Sequence, residues 1–463
     1  MMPPPALPRH FGHSASIAGA LLAATAAAAG TPCPPLPEPR QIRYEERYPP
    51  QPDGCPTSLA GRLKNIPIGA ARLDIGGEWR VRLEATDVPD FGTAGPRDRA
   101  VLSRLLLHAN LRATDDIRLF VQAGSFLGSR RLGTGPTDVS RLDLAQGFVE
   151  LNQHRGATIA TLRLGRQEMA FGSSRLVSIR ESPNIRRSFD GAHLGIAHGR
   201  FRLDGVWLRP VRLHPGIFDD ASDGNEQLYG VYGSLGSGNG LGLDLYWLGL
   251  ERRSARFAAG TGREVRHSLG ARLFGQAGPL DWDIEPVLQS GRFASGRIRA
   301  WTLASNLGYR LSALPGRPRL GLKADIASGD RDPNDRVLQS FNPLYPRLPY
   351  FTEAGLAVPS NVMDLHPSIT LDIAPGGRLT LGADLLWRHR REDAIYVPPF
   401  LPGLPAAPGS RFIGTQWETG TEWRLARGVE FKLYLVRFSA STSLTSLGAR
   451  SGTFGATSLG YRF

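Results

Sequence analysis

From Arg72 onward the sequence keeps returning to a period of two, the spacing that puts alternate side chains on opposite faces of an extended strand. Glu78, Arg80, Arg82 and Glu84 oppose Trp79, Val81 and Leu83. Leu379, Leu381, Ala383, Leu385 and Trp387 alternate with Arg378, Thr380, Asp384, Arg388 and Arg390. Trp417, Thr419, Thr421, Trp423 and Leu425 oppose Glu418, Glu422 and Arg424. The final strand sets Thr457, Leu459, Tyr461 and Phe463 against Ser458, Gly460 and Arg462, and the sequence closes on the aromatic. A water-soluble sandwich also alternates, but its outer face mixes Lys, Glu, Thr and Ser. Here the polar face is rich in Arg. A membrane barrel inverts the soluble rule, turning apolar side chains to lipid and charged ones to a wet lumen.

Turn signals give the strand number. Short breaks fall near Thr114 to Asp116, His154 to Ala157, His198 to Arg200, Gly236 to Gly240, Gln276 to Pro279, Ala313 to Arg317, Ala374 to Gly377 and Ala426 to Gly428. Mostly longer connections occupy Val88 to Ala100, Gly128 to Leu142, Ala170 to Ser188, Leu213 to Gly224, Ser254 to Glu264, Ala294 to Arg297, Arg331 to Val362, Ala394 to Phe412 and Ser441 to Arg450. The expected fold is therefore all-β: a transmembrane antiparallel barrel of about 18 strands over 71–463, with short periplasmic turns and long extracellular loops. Trp79, Trp207, Trp247, Trp282, Trp301, Trp387, Trp417 and Trp423 fall in or near strand ends, where interfacial girdles lie.

The longest apolar run, Ile17 to Ala29, is too short to cross a bilayer as a helix. It follows Arg9 and leads into small residues, the order of a secretory signal, so residues 1–29 are expected to be removed on export. Residues 30–70 form a Pro-rich segment expected on the periplasmic side. Its Cys33 and Cys55 could close a loop in an oxidising compartment or stay apart. Lysine and arginine number 55 against 42 acidic residues, a formal charge of +13, which implies an anionic partner. The basic residues are spread singly instead of forming a patch or basic helix, so nucleic acid is not the expected partner.

Leu73 to Glu84 (LDIGGEWRVRLE), Leu162 to Glu168 (LRLGRQE), Arg186 to Gly191 (RRSFDG), Ala327 to Tyr350 (ASGDRDPNDRVLQSFNPLYPRLPY) and the closing YRF are similar, as an ordered set, to the alginate-export family of outer-membrane barrels. The resemblance runs from about Leu59 to Phe463. It implies an outer-membrane barrel of 18 strands whose Arg-rich constriction passes a polyuronate. Carried onto this sequence, it points to Arg80, Arg82, Arg163, Arg166, Gln167, Arg187 and Lys323 as lumen residues, with Asp190, Asp325 and Asp330 in the same motifs. Alternation alone puts Arg80, Arg82, Arg163, Gln167, Lys323 and Asp325 on the polar face, whereas Arg166 falls on the apolar side and needs a bulge or a strand end to reach water. Arg118, Arg388, Arg390 and Arg424 complete the lumen set, and Glu78, Asp190, Asp325 and Glu422 are expected to pair with its cations.

Fixed guanidiniums can replace the water that a carboxylated sugar sheds in a narrow pore. The expected function is an outer-membrane pore exporting an anionic polysaccharide, alginate-like, with no cofactor and no metal. A porin taking up small anionic sugars is the alternative, followed by an outer-membrane hydrolase, although no nucleophile elbow, paired-His motif or P-loop is present. Asp330, Asp332, Asn334 and Asp335 alternate like the start of a calcium loop but lack its Gly and terminal Glu, so a solvated acidic loop is expected. The Pro-rich stretches Phe341 to Pro359 and Val397 to Gly409 are expected lids or plugs. Expected partners are the polysaccharide, outer-membrane lipid with its lipopolysaccharide, and periplasmic export proteins.

Overall fold

The computed structural model describes residues 35–49, 58–93, 95, 97–129, 135–236, 240–406 and 409–463. The expected leader and both cysteines lie outside the described residues. The alternating segments form a closed antiparallel barrel of 18 strands. They are β1 (Ala71–Thr86), β2 (Asp98–Arg112), β3 (Ile117–Ser129), β4 (Ser140–Arg155), β5 (Thr158–Glu168), β6 (Ser188–His198), β7 (Phe201–Arg212), β8 (Glu226–Leu235) and β9 (Leu241–Phe257). The remaining half comprises β10 (Gly260–Ala277), β11 (Leu280–Phe293), β12 (Gly296–Arg310), β13 (Arg319–Ala327), β14 (Val362–Ala374), β15 (Gly377–Arg388), β16 (Phe412–Ala426), β17 (Val429–Ala440) and β18 (Gly452–Arg462). Each pairs with its sequence neighbours, and β18 returns to β1 with Arg462 opposite Glu78. Closure leaves no strand edge for another chain to extend.

Parity decides which side chain faces where. On β1, Asp74, Glu78, Arg80 and Arg82 point inward and are buried, while Trp79 and Leu83 point outward at 53 and 47 % exposure. All eight tryptophans face outward. Trp207, Trp247, Trp301 and Trp387 lie toward the end of the barrel that carries the long loops, and Trp282 and Trp423 toward the end where β1 begins and β18 finishes. Between them runs a band of outward leucines, including Leu288 and Leu269 at 64 and 62 % exposure. That inversion, leucine outside and carboxylate inside, fits a lipid-facing wall and not a soluble one.

The connections at the terminal end are short, as expected. At the other end one departs from expectation: residues 254–257 and 260–264 continue β9 and β10, leaving a turn of 258–259, while β11 and β12 are joined by 294–295, inside the expected break from Ala294 to Arg297. The β9–β10 extension was hidden because a bulge between Arg252 and Ala255 shifts the alternation by one. The longer loops 169–187 and 328–361 fold back into the barrel, where Val177 and Tyr345 form a bridge between them. Phe171 stacks on Tyr232 at 4.7 Å, and Tyr345 packs edge-on against Phe189 at 5.2 Å. The loop-end half of the interior is thus filled by an apolar core that includes Leu208, Leu228, Phe341, Leu344 and Tyr396.

Candidate functional site

Loop 169–187 crosses the interior and is ion-paired to both walls. At one end Arg175 reaches Asp283 and Glu285 of β11 at 2.5 and 2.9 Å. At the other, Arg186 binds Glu78 of β1 at 2.8 Å and Glu181 sits 2.9 Å from Arg104 of β2 and 3.0 Å from Arg462 of β18. Glu78 is 2.8 Å from Arg104 and 2.9 Å from Arg462. Burial pushes the Glu181 carboxyl up, but the guanidiniums of Arg104 and Arg186 outweigh it and hold it below the usual carboxylate range. Arg80 donates to the carbonyls of Glu181, Ser182 and Pro183 at 2.8, 3.1 and 2.9 Å. Arg82 pairs with Glu84 at 2.6 Å and with Glu353 of the second inserted loop at 3.0 Å.

The described part of the N-terminal segment also enters the barrel. Arg43 donates to the main-chain oxygens of Gly77 and Phe463 at 2.8 and 2.6 Å and pairs with Glu46 at 2.7 Å. Tyr44 packs edge-on against the inward rings of Phe120 and Phe148 at 6.1 and 5.3 Å, donates to the Glu168 carbonyl at 2.7 Å and lies under the Arg163 guanidinium at 4.1 Å. Arg118 donates to the Tyr44 carbonyl and to Asn110. Burial pushes the Tyr44 phenol up to about 12.

Two cavities flank this segment. One, of about 580 Å³, borders β1 and β16–β18 and is lined by six carboxylates (Glu78, Glu181, Glu353, Glu418, Glu422, Glu430) against five cations (Arg80, Arg82, Arg347, Lys432, Arg462). The other, of about 710 Å³, opens along β2–β7 at the terminal end, where six arginines (Arg40, Arg47, Arg112, Arg118, Arg163, Arg202) face three carboxylates (Glu45, Asp115, Glu150). The lining of the second has the positive excess, reduced by Asp74 and Asp204, which pair with Arg112 and Arg202 at 3.0 and 2.7 Å from outside the lining.

The expected site residues divide accordingly. Arg118 and Arg163 share Glu150 in the second cavity, at 3.4 and 2.7 Å. Gln167 lies inward beyond Arg163, next to Gly165, whose φ of +131° and 2.3 Å approach of the Gly147 carbonyl to any Cβ admit only glycine. Lys323 is held 4.5 Å from the rings of both Tyr350 and Phe351, with Asp325 at 3.8 Å. Arg187 stacks 5.2 Å over Tyr345, Arg388 donates to the Pro405 carbonyl at 3.0 Å, and Arg390 lies in loop 389–411. Glu422 and Arg424 face inward at the terminal end, where Tyr434 donates to Glu422 at 2.7 Å.

Arg166 and Asp190 require correction. Both lie on the outward side, opposite Gly147 and Arg209, and bind each other at 2.8 Å beneath loop 213–225, so neither lines the lumen. Strict alternation holds through β5 and β6; Asp190, the Leu144 carbonyl at 3.0 Å and the Asp220 carbonyl of the loop at 3.3 Å satisfy the guanidinium without a bulge in its own strand. The expected solvated acidic loop holds for Asp332, Asn334 and Asp335, whereas Asp330 is 1 % exposed beside buried Asp393. Residues that sequence reasoning passed over include Arg104, whose neighbours Leu102 and Leu106 make both faces of β2 look apolar, and Arg43, Tyr44, Arg175 and Glu181, which lie outside any strand. Arg462 carried a usable signal, since its parity on the last strand is polar.

Among the described residues one group has metal-ligand spacing, Asp143, Asp219 and Asp220. Asp143 already accepts the backbone N–H groups of Asp219 and Asp220 at 2.9 and 3.0 Å and has Arg166 at 3.7 Å, so the loop's own donors occupy it.

A closed barrel with leucine and tryptophan outside and a constricted, charged interior defines an outer-membrane porin, which places the loop end outside the cell and the terminal end in the periplasm. A sequence profile described as alginate export matches residues 71–451, and the chain belongs to that family. In fold it is similar to OccK11 (OpdR) of Pseudomonas aeruginosa, with 13 % identity and a TM-score of 0.55 over 84 % of this chain and 96 % of that one. OccAB3 of Acinetobacter baumannii is 10 % identical with a TM-score of 0.58 over 84 and 99 % of the two chains. A BenF-like porin of Pseudomonas fluorescens Pf-5 is 9 % identical with a TM-score of 0.57 over 84 and 98 %. Comparison with curated proteins gave no match.

Proposed function

We propose that this barrel exports an anionic, carboxylated polysaccharide, entering from the periplasm through the cavity along β2–β7. The observation that carries the reading is the charge of that vestibule, six arginines against three carboxylates at the periplasmic mouth. Arginine keeps its charge at any relevant pH and binds carboxylates in pairs of hydrogen bonds, and weak sites in series let a polymer leave as readily as it enters. A second reading, passage of short sugar acids, is favoured by cavity size: separate spaces of about 580 and 710 Å³ suit a few sugar rings rather than an extended chain.

Planar-bilayer recordings distinguish the two. An exporter shows anion selectivity that falls when Arg112, Arg118 and Arg163 are together replaced by Gln, and its current is blocked by uronate oligomers with affinity that rises with their length. Block that does not rise beyond a disaccharide supports the small-acid reading. Selectivity unchanged in the triple variant overturns the vestibule assignment in both.

A further inference from the structure

Many inward arginines have carboxylates, among them Arg104 with Glu78, Arg163 with Glu150, Arg266 with Glu264 and Arg272 with Asp244. One outward group does not. On β9–β12, Arg253, Arg256, Arg263, Arg292, Arg297 and Arg299 are exposed and turned away from the lumen at the extracellular end. Glu251, 3.5 Å from Arg263, is the one carboxylate that any described ion pair brings to them. Arg292 and Arg297 are direct cross-strand partners. Like charges placed opposite each other in a sheet destabilise it unless an anion lies between them.

Their position identifies that anion's source. The outward column of β11 reads Leu280, Trp282, Ile284, Pro286, Leu288, Ser290, Arg292, and that of β12 reads Tyr309, Leu307, Ser305, Leu303, Trp301, Arg299, Arg297. About eleven residues of strand on β11 (280–290) and nine on β12 (301–309), the length that spans the hydrocarbon, come before the first outward guanidinium. At about 3.3 Å per residue, Arg299 stands roughly 7 Å beyond Trp301, at the level of lipid headgroups. The turns within this quarter of the rim are only 258–259 and 294–295, and the one long-loop segment that pairs here, Val337–Leu338 of loop 328–361, runs edge-on beside Arg297 and Ile298 of β12.

We propose that this cluster is a binding site for the phosphorylated headgroup of an outer-leaflet glycolipid, with the guanidiniums taking the phosphates and the Trp247, Leu269, Leu288 and Trp301 band taking the acyl chains. Guanidinium forks match phosphate oxygens two by two, and the apolar band below supplies what a free phosphate lacks. The site lies on the opposite face of the wall from the proposed vestibule and does not depend on the transported substrate.

The test uses the full-length barrel in detergent, titrated with bis-phosphorylated lipid A, with the same lipid stripped of phosphate, and with inorganic phosphate, read by native mass spectrometry and melting temperature. The expected result is stoichiometric retention of bis-phosphorylated lipid A, weakened at least tenfold in R292Q/R297Q/R299Q and by dephosphorylation, with no shift from inorganic phosphate. Equal retention of the dephosphorylated lipid would overturn the proposal, and that arm needs no variant to fold. Retention of lipid A undiminished in the triple variant, an equal shift with inorganic phosphate, or displacement of lipid A by uronate oligomers would do the same. Pore selectivity in the variant should match the parent's.

Discussion

Glu78 is 1 % exposed and touches three guanidiniums, those of Arg104, Arg186 and Arg462, contributed by β2, the inserted loop and β18. Removing one member of a buried ion network costs more than the network adds, because the remaining charges keep their desolvation without their partner. Glu78→Gln should lower unfolding stability by about 3 kcal/mol, measured by denaturant titration of the barrel in detergent, and a loss within error of zero would mean that Glu181 alone balances the arginines. At this scale the sequence revealed a good deal. The parity of Glu78, Arg80, Arg82 and Arg163 follows from their strands, because period two leaves each residue one face. Arg166 and Asp190 show the limit: both stand where alternation puts them, but the expected connection after Leu213 folds over them on that side, and no local pattern predicts that placement.

At the scale of the element, the described segment 36–49 is held inside the barrel by Arg43 and Tyr44, whose contacts are to strand backbones and inward rings. Replacing both by Ala should free the segment and raise single-channel conductance several-fold; unchanged conductance would show that current bypasses it. Loops 328–361 and 389–411 meet at Asp330 and Asp393, two buried carboxyls without a cation between them. Burial, reinforced by Asp393, pushes Asp330 up to about 6. A carboxyl whose folded value exceeds its unfolded value of about 4 favours the packed state while protonated, so this contribution is full below about 4 and lost as pH rises through about 6. Hydrogen exchange in these loops, corrected for its intrinsic pH dependence, should be more protected at pH 5 than at pH 7, and Asp330→Asn should remove the difference. Persistence of the difference in that variant would assign it elsewhere. The Pro-rich composition marked both loops as candidates for lids; the insertion of loop 328–361 is set by partners as distant as Gln289 and Gln416, to which Asn342 and Thr352 hydrogen-bond at 2.7 and 2.6 Å.

For the molecule as a whole, the wall separates two chemistries on one sheet. Inward, most charge is paired locally, and among the lining residues of the two cavities arginine exceeds carboxylate in the periplasmic vestibule. Outward, leucine and tryptophan give way to unpaired arginine at the extracellular rim of β9–β12. The periplasmic vestibule and the outer headgroup level are thus separate clusters of arginine, and the loss of anion preference expected on removing Arg112, Arg118 and Arg163 belongs to the first of these alone. The sequence by itself determined the strand number, the two faces of each strand and the compartment, because alternation and turn chemistry act over a few residues. Which arginines remain free, where the pore narrows and what fills it were decided by tertiary structure, because charge neutralisation and loop insertion join residues such as Glu78, Glu181 and Arg462, hundreds of positions apart, that meet only when the barrel closes.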